Sequence, residues 1–135
     1  MNAAVIDTNI VSFIIKADTR AALYKHHMED KAWILSFMSF AELHRWAIKW
    51  HWKTPRLSKL DHYLSASYTI HYADDVLCRK WAEVREECRK KGRAIDTDDA
   101  WIAATALILD LPLVTHNYKH FAHVEGLKVL SEVDT

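Results

Sequence analysis

The chain has 135 residues, the size of one ordinary domain, with no room for a second independent core. Hydrophobic residues make up 50% of it, including six Trp, five Tyr and four Phe, so a substantial core can form without staples or a structural metal, and disorder is excluded. Eighteen basic residues balance eighteen acidic ones, so any basic footprint for a nucleic acid or membrane must be local.

In chain order, strands alternate with helices. Ala3 to Ile6 is a short apolar run ended by Asp7-Thr8-Asn9, and Trp33 to Phe37 is another, ended by Ser39 and Glu42. Tyr68 to Tyr72 is a weaker strand pattern, Leu113 to Thr115 follows the turn signal at Pro112, and Lys128 to Leu130 follows Gly126. Helical patterns fill Ile10 to Ile15, Thr19 to Glu29, Phe40 to Trp52, Leu57 to Ala66 and Asp74 to Lys91. In the last of these Leu77, Trp81, Val84 and Cys88 repeat at helical spacing, and Gly92 supplies the stop. The stretch Trp101 to Leu109 is apolar nearly all round and marks a helix buried on most sides. The Pro-containing segment from Lys53 to Ser58 reads as a turn between helices. This alternation predicts an α/β sandwich on a mainly parallel sheet, because parallel strands need crossover helices on the faces.

Cys78 and Cys88 fall in one predicted helix, about 15 Å apart along its axis, which is too far for a disulfide and suits a reducing cytoplasm. Asp7 interrupts the only early apolar run, and no stretch approaches the ~20 apolar residues of a membrane span. A soluble cytoplasmic protein without membrane contact is expected.

Chemistry enters where the acids fall. In open α/β sheets ligands gather outside the carboxyl ends of strands, so residues just past a strand are the ones that meet. Asp7, Glu42 and Asn117 each follow a predicted strand, and Asp96, Asp98 and Asp99 stand before the apolar helix. Converging unpaired carboxylates raise one another's pKa, so a site that keeps them charged needs a cation. Hard oxygen ligands suit Mg²⁺ or Mn²⁺ rather than zinc. Each acid also has a plainer reading. Ser39-Phe40-Ala41-Glu42 has the spacing of a capping box, and the three later acids complement a helix N-terminus. Asp7-Thr8-Asn9 can form a turn or cap.

Together these segments resemble the PIN-domain family over nearly the whole chain. Val5-Ile6-Asp7-Thr8-Asn9-Ile10 resembles its first motif, Phe40-Ala41-Glu42-Leu43 its second, Asp99-Ala100-Trp101-Ile102-Ala103-Ala104 its third and Leu113-Val114-Thr115-His116-Asn117 its fourth. Phe121 and Gly126-Leu127-Lys128-Val129 match the usual ending. The resemblance departs at His120, where many relatives carry an acid, and Asp96 compensates if it is already helical and shares a face with Asp99.

The resemblance implies a single PIN-like nuclease domain over residues 1–135, with a five-stranded parallel sheet between helices. It also implies a Mg²⁺- or Mn²⁺-dependent endoribonuclease, the toxin of a VapBC-like toxin–antitoxin pair. Asp7, Glu42 and Asp99 would hold metal, with Asp96 as a further ligand. Thr8, Asn9, Ser39, Asn117 and His120 would orient waters or carboxylates. The implied partners are an RNA substrate, a cognate antitoxin whose tail crosses the acidic site, and a second copy in a homodimer.

Several conspicuous residues carry weaker signals. His116, His120 and His123 have the spacing of a zinc site but no accompanying Cys pair. Trp46, Trp50 and Trp52, with His44 and His51, suit base stacking, an antitoxin helix, a dimer contact or simple core packing. The basic stretch from Arg79 to Arg93, with Arg85, Arg89 and Lys90, reads either as an RNA-guiding stripe or as a solvated helix face. Two other classes compete with the nuclease reading: a phosphoacceptor receiver-like domain, which lacks an acid at a third strand end here, and a non-catalytic PIN-like binding module.

Overall fold

In the computed structural model, which describes residues 2–133, five strands form one wholly parallel sheet in the order β3-β2-β1-β4-β5. The strands are β1 (Ala3–Ile6), β2 (Ala32–Ser36), β3 (Thr69–His71), β4 (Leu113–Val114) and β5 (Val129–Leu130). The helices are α1 (Thr8–Ile15), α2 (Lys25–Met28), α3 (Phe37–Lys49), α4 (Thr54–Ser67), α5 (Asp75–Lys90), α6 (Thr97–Leu109) and α7 (Tyr118–Phe121), with a 3-10 helix over Thr19–Tyr24.

Strand β1 lies at the centre because it is apolar on both faces, and all four of its residues are buried. Alternate side chains then feed two cores. Ala3 and Val5 pack with Leu77, Val84, Ile102 and Phe121 from α5, α6 and α7. Ala4 and Ile6 pack with Ile10, Tyr24, Leu43 and Leu64 from α1, the 3-10 helix, α3 and α4. Beyond its first turn helix α6 is apolar nearly all round, with Ala100, Ala103, Ala104 and Ala106 fully buried so that neighbouring elements approach closely.

Several boundaries differ from the sequence pattern, and caps account for them. Asp7 caps α1 by accepting from the Thr8 N–H at 2.8 Å, so the helix opens two residues before Ile10. Strand β2 stops at Ser36 and α3 starts at Phe37, because the Ser36 hydroxyl accepts from the Met38 N–H at 3.1 Å. Ser39 is therefore inside the helix, and the capping-box reading of Ser39 and Glu42 is overturned. Helix α4 opens at Thr54 with Pro55 in its first turn, where a missing N–H costs nothing, so Lys53 to Ser58 is mostly helix. The stretch from Thr19 to Glu29 is not one α-helix: Asp18 caps a 3-10 turn that gives way to the single turn of α2. Short α7 carried no periodic signal.

Cys78 is exposed and Cys88 buried on α5, and both are free. Among the described residues no helix is long and apolar enough to cross a membrane.

Candidate functional site: an acidic cleft at the strand ends

The chain crosses from β1 to β2 on one side and pairs with β4 on the other, so the carboxyl end of β1 is where loops from both halves diverge. Asp7 stands there. It is 4% exposed, and besides its cap to Thr8 its other oxygen accepts from the Thr115 hydroxyl at 2.6 Å, just past β4. Burial still dominates: loss of water, reinforced by the charge of Asp99, raises the Asp7 pKa to about 6 against these two hydrogen bonds and His120.

Glu42 comes from the second turn of α3. The Thr8 hydroxyl lies 2.8 Å from both Glu42 Oε1 and the hydroxyl of fully buried Ser39. Thr8 has one proton, so it donates to the carboxylate while Ser39 donates to Thr8. Burial again outweighs this bond, and with Asp98 and Asp7 nearby the Glu42 pKa rises to about 7.

The first turn of α6 supplies the remaining acids. Asp99 is raised to about 6, by burial first and then by Asp96 and Glu42, while His120 opposes the rise from 3.2 Å away. Asp96 is not helical, contrary to the face-sharing expectation: it is the extended N-cap residue of α6, and its side chain makes no cap bond. Its carboxylate instead lines the cleft, with Glu42, Thr97, Asp98, Asp99, Asn117 and His120.

The structure therefore gathers Asp7, Glu42, Asp99, Asp96, Asn117 and His120 at one end of the sheet. Thr8 and Ser39 lie beneath them. Asn9 points elsewhere: its Oδ1 accepts from the His116 N–H at 3.3 Å, and it lines a separate groove with Lys16 and Trp50. Of the basic stripe only Arg85 reaches the rim, donating to the Thr97 hydroxyl at 2.6 Å. Arg89 is paired with Glu86, as on a solvated helix face, and exposed Lys90 makes no ion pair among the described residues. Trp46 and Trp52 pack against the core.

The histidine triplet does not assemble. His116 meets Tyr24, His120 meets Asp99, and both ring nitrogens of His123 are buried without a hydrogen-bond partner among the described residues.

Two site residues were missed from the sequence. Asp98, set aside as a helix-capping acid, faces Glu42 across the cleft. Side chains in a first helical turn splay around its open end, so adjacent acids can both border a space above it. Thr115 fixes Asp7, and its position at a strand end next to His116-Asn117 was the available signal.

Residues 4–127 match the PIN domain. The chain belongs to the PIN-domain family. It is 26% identical over 125 residues to the ribonuclease VapC1 of Haemophilus influenzae, covering 91% of this chain and 92% of that one. It is also 26% identical over 123 residues to the tRNA(fMet)-specific endonuclease VapC of Shigella flexneri, with the same coverage of each. A solved structure of VapBC2 from Rickettsia felis, bound to a DNA fragment of its promoter, superposes with a TM-score of 0.81. That match has 26% identity and covers 97% of this chain and 99% of the other. Family membership sets aside the receiver-like alternative, and the PIN-like fold matches the five-stranded parallel sandwich.

The raised acids make stability fall with pH. Asp7, Glu42 and Asp99 hold protons in the folded chain that an unfolded chain releases near pH 4, so folding is favoured below that range. That contribution is lost as pH rises towards about 6 to 7. In chelator, the Tm of the wild type should drop between about pH 5 and pH 8 more steeply than that of Asp7→Asn. Parallel curves for the two proteins would show that the crowded acids do not cause the drop.

Proposed function

We propose that this chain is a divalent-metal-dependent endoribonuclease that hydrolyses RNA phosphodiester bonds, and the toxin of a VapBC-like toxin–antitoxin pair. The observation that carries the reading is uncompensated charge. Asp7, Glu42 and Asp99 are each raised by burial and by one another, and the one ion-pair partner any of them has among the described residues is His120. A structural cluster would be expected to hold Lys or Arg there, whereas a metal site leaves that role to the ion.

Divalent-metal dependence is general among PIN-domain VapC nucleases. The oxygen-rich donor set fits Mg²⁺ or Mn²⁺. Asp7, Glu42 and Asp99 would hold the ion, with Asp96 and Asp98 at the cleft mouth. A bound ion would supply Lewis-acid charge for phosphodiester hydrolysis. The chain does the positioning: Thr115 fixes one oxygen of Asp7, and Thr8, backed by Ser39, fixes one oxygen of Glu42. Exposed Asn117 and His120 stand at the rim, where they can donate to a phosphate or to water.

The substrate class that the Shigella relative's name supports is tRNA. The same reading includes one nuclease domain spanning residues 1–135, a cytoplasmic setting, a homodimer, and inhibition by an antitoxin segment lying across the acidic cleft.

Purified protein should cut RNA with Mg²⁺ or Mn²⁺ and stop in EDTA. Asp99→Asn and Glu42→Gln should each lower cleavage by at least ~100-fold, as when an electrostatic stabiliser is lost. Both should remain folded by circular dichroism. If both variants fold and cut at the wild-type rate, the acids are architecture and the non-catalytic module is the better account.

Arg85 is the basic residue placed to guide the RNA backbone to the cleft, while Arg89 is occupied by Glu86. Arg85→Ala should weaken RNA binding and reduce the slope of log K against log salt by about one, and Arg89→Ala should do neither. Equal slopes for wild type and Arg85→Ala would return the whole stripe to the solvated face.

A further inference from the structure

The acidic cleft is not where potential metal-ligand atoms lie closest together. Among the described residues, the one group of three or more His, Cys, Asp or Glu ligand atoms within 4.8 Å of one another is His26, His27 and Glu132. We propose that these three side chains bind a divalent transition-metal ion, Zn²⁺ by preference, which staples the segment after β5 to the single turn of α2.

Neighbouring side chains on a regular helix diverge by about 100°, yet here the two imidazole rings lie together, with centroids 3.9 Å apart and planes tilted by 40°. Both present Nε2 to the same carboxylate oxygen, His27 at 2.9 Å and His26 at 3.7 Å. A tetrahedral zinc ion with bonds of about 2.0–2.1 Å spaces its ligand atoms roughly 3.3 Å apart. The observed spacings bracket that value, so small side-chain rotations suffice to admit the ion.

The frame around the three ligands is fixed from behind. The Glu132 N–H donates to the hydroxyl of fully buried Tyr24 at 3.1 Å, and the Val133 N–H donates to the Ser131 hydroxyl at 3.1 Å. The His27 ring lies against the Tyr24 ring, with centroids 6.0 Å apart. His27 has a side-chain exposure of 17%, while His26 at 62% leaves the outer side open for a fourth ligand from solvent.

Ligand chemistry separates this site from the cleft. Two imidazole nitrogens and one carboxylate favour zinc over magnesium, and an all-oxygen set does the reverse. The staple also lies close to the cleft in bonding terms. The Tyr24 hydroxyl is 2.6 Å from His116 Nδ1, and the His116 N–H donates to Asn9, so an ion fixing Glu132 also restrains the turn that carries Thr115 and Asn117.

Calorimetric titration of the full chain with Zn²⁺ in excess Mg²⁺ tests the site without reference to nuclease activity. One ion should bind per chain and raise Tm, and Co²⁺ in its place should give the intense visible absorption of a four-coordinate ion. His26→Ala and Glu132→Gln, both at exposed positions, should each weaken Zn²⁺ binding by at least roughly tenfold, since losing even a hydrogen-bond partner behind a metal ligand costs about that much. Asp99→Asn should bind Zn²⁺ like the wild type. Binding that survives both substitutions, or that vanishes in Asp99→Asn, would put the ion in the acidic cleft and overturn the proposal. So would no detectable binding, or one ion shared between two chains with zinc-dependent dimerisation.

Discussion

The site depends on carboxylates buried at the carboxyl end of β1 with no Lys or Arg paired to them among the described residues. Asp7 is as enclosed as the core residues beside it, and two hydrogen-bond donors do not offset its lost hydration. Glu42 and Asp99 meet the same conflict from other directions. A fold optimised for stability alone would replace such a cluster with apolar or paired residues. Carboxylates held this far from their ordinary range mark the cleft as the candidate site.

The sheet order makes this crowding possible. With β1 at the centre, the N-terminus of α1, the start of α3 and the turn after β4 are brought to the strand ends, and α6 adds its own first turn. The N-termini of α1 and α6 both carry acids in or next to their first turns, where backbone N–H groups and the helix dipole favour negative charge. Burial first, and then the neighbouring acids, still raise the carboxyl pKa values above their ordinary range. Hydroxyl groups then set geometry rather than charge. Ser39 and Thr8 form a relay to Glu42, and Thr115 reaches Asp7, so three buried hydroxyls orient two carboxylates.

His120 alters the balance on one side of the cleft. An acid there would add a further like charge to Asp99, whereas the imidazole lowers the Asp99 pKa. Asp96, free of any capping bond, and Asp98, facing Glu42, keep the mouth of the cleft acidic beside that imidazole. The cleft thus combines an imidazole contact to Asp99 with two further carboxylates, Asp96 and Asp98, beside it.

Much was legible in the sequence because it depends on local pattern. The buried runs at Ala3 to Ile6 and Leu113 to Thr115, the apolar helix from Trp101 and the acids just past strand ends all follow from periodicity and from where turns interrupt it. Four motifs in order were sufficient to indicate the family. Local pattern did not decide which of two serines caps α3, because Ser36 and Ser39 are equally good caps and the choice rests on where β2 stops pairing with β3. Nor did it show that Asp98 faces Glu42, or that Thr115 reaches Asp7 across 108 positions. The meeting of His26 and His27 with Glu132, 105 positions beyond His27, was equally hidden. Sequence alone determined which residues could carry charge and where the chain would turn. Only the tertiary structure decided which charges share a space, because that depends on strand order and on the packing of helices that the local pattern cannot see.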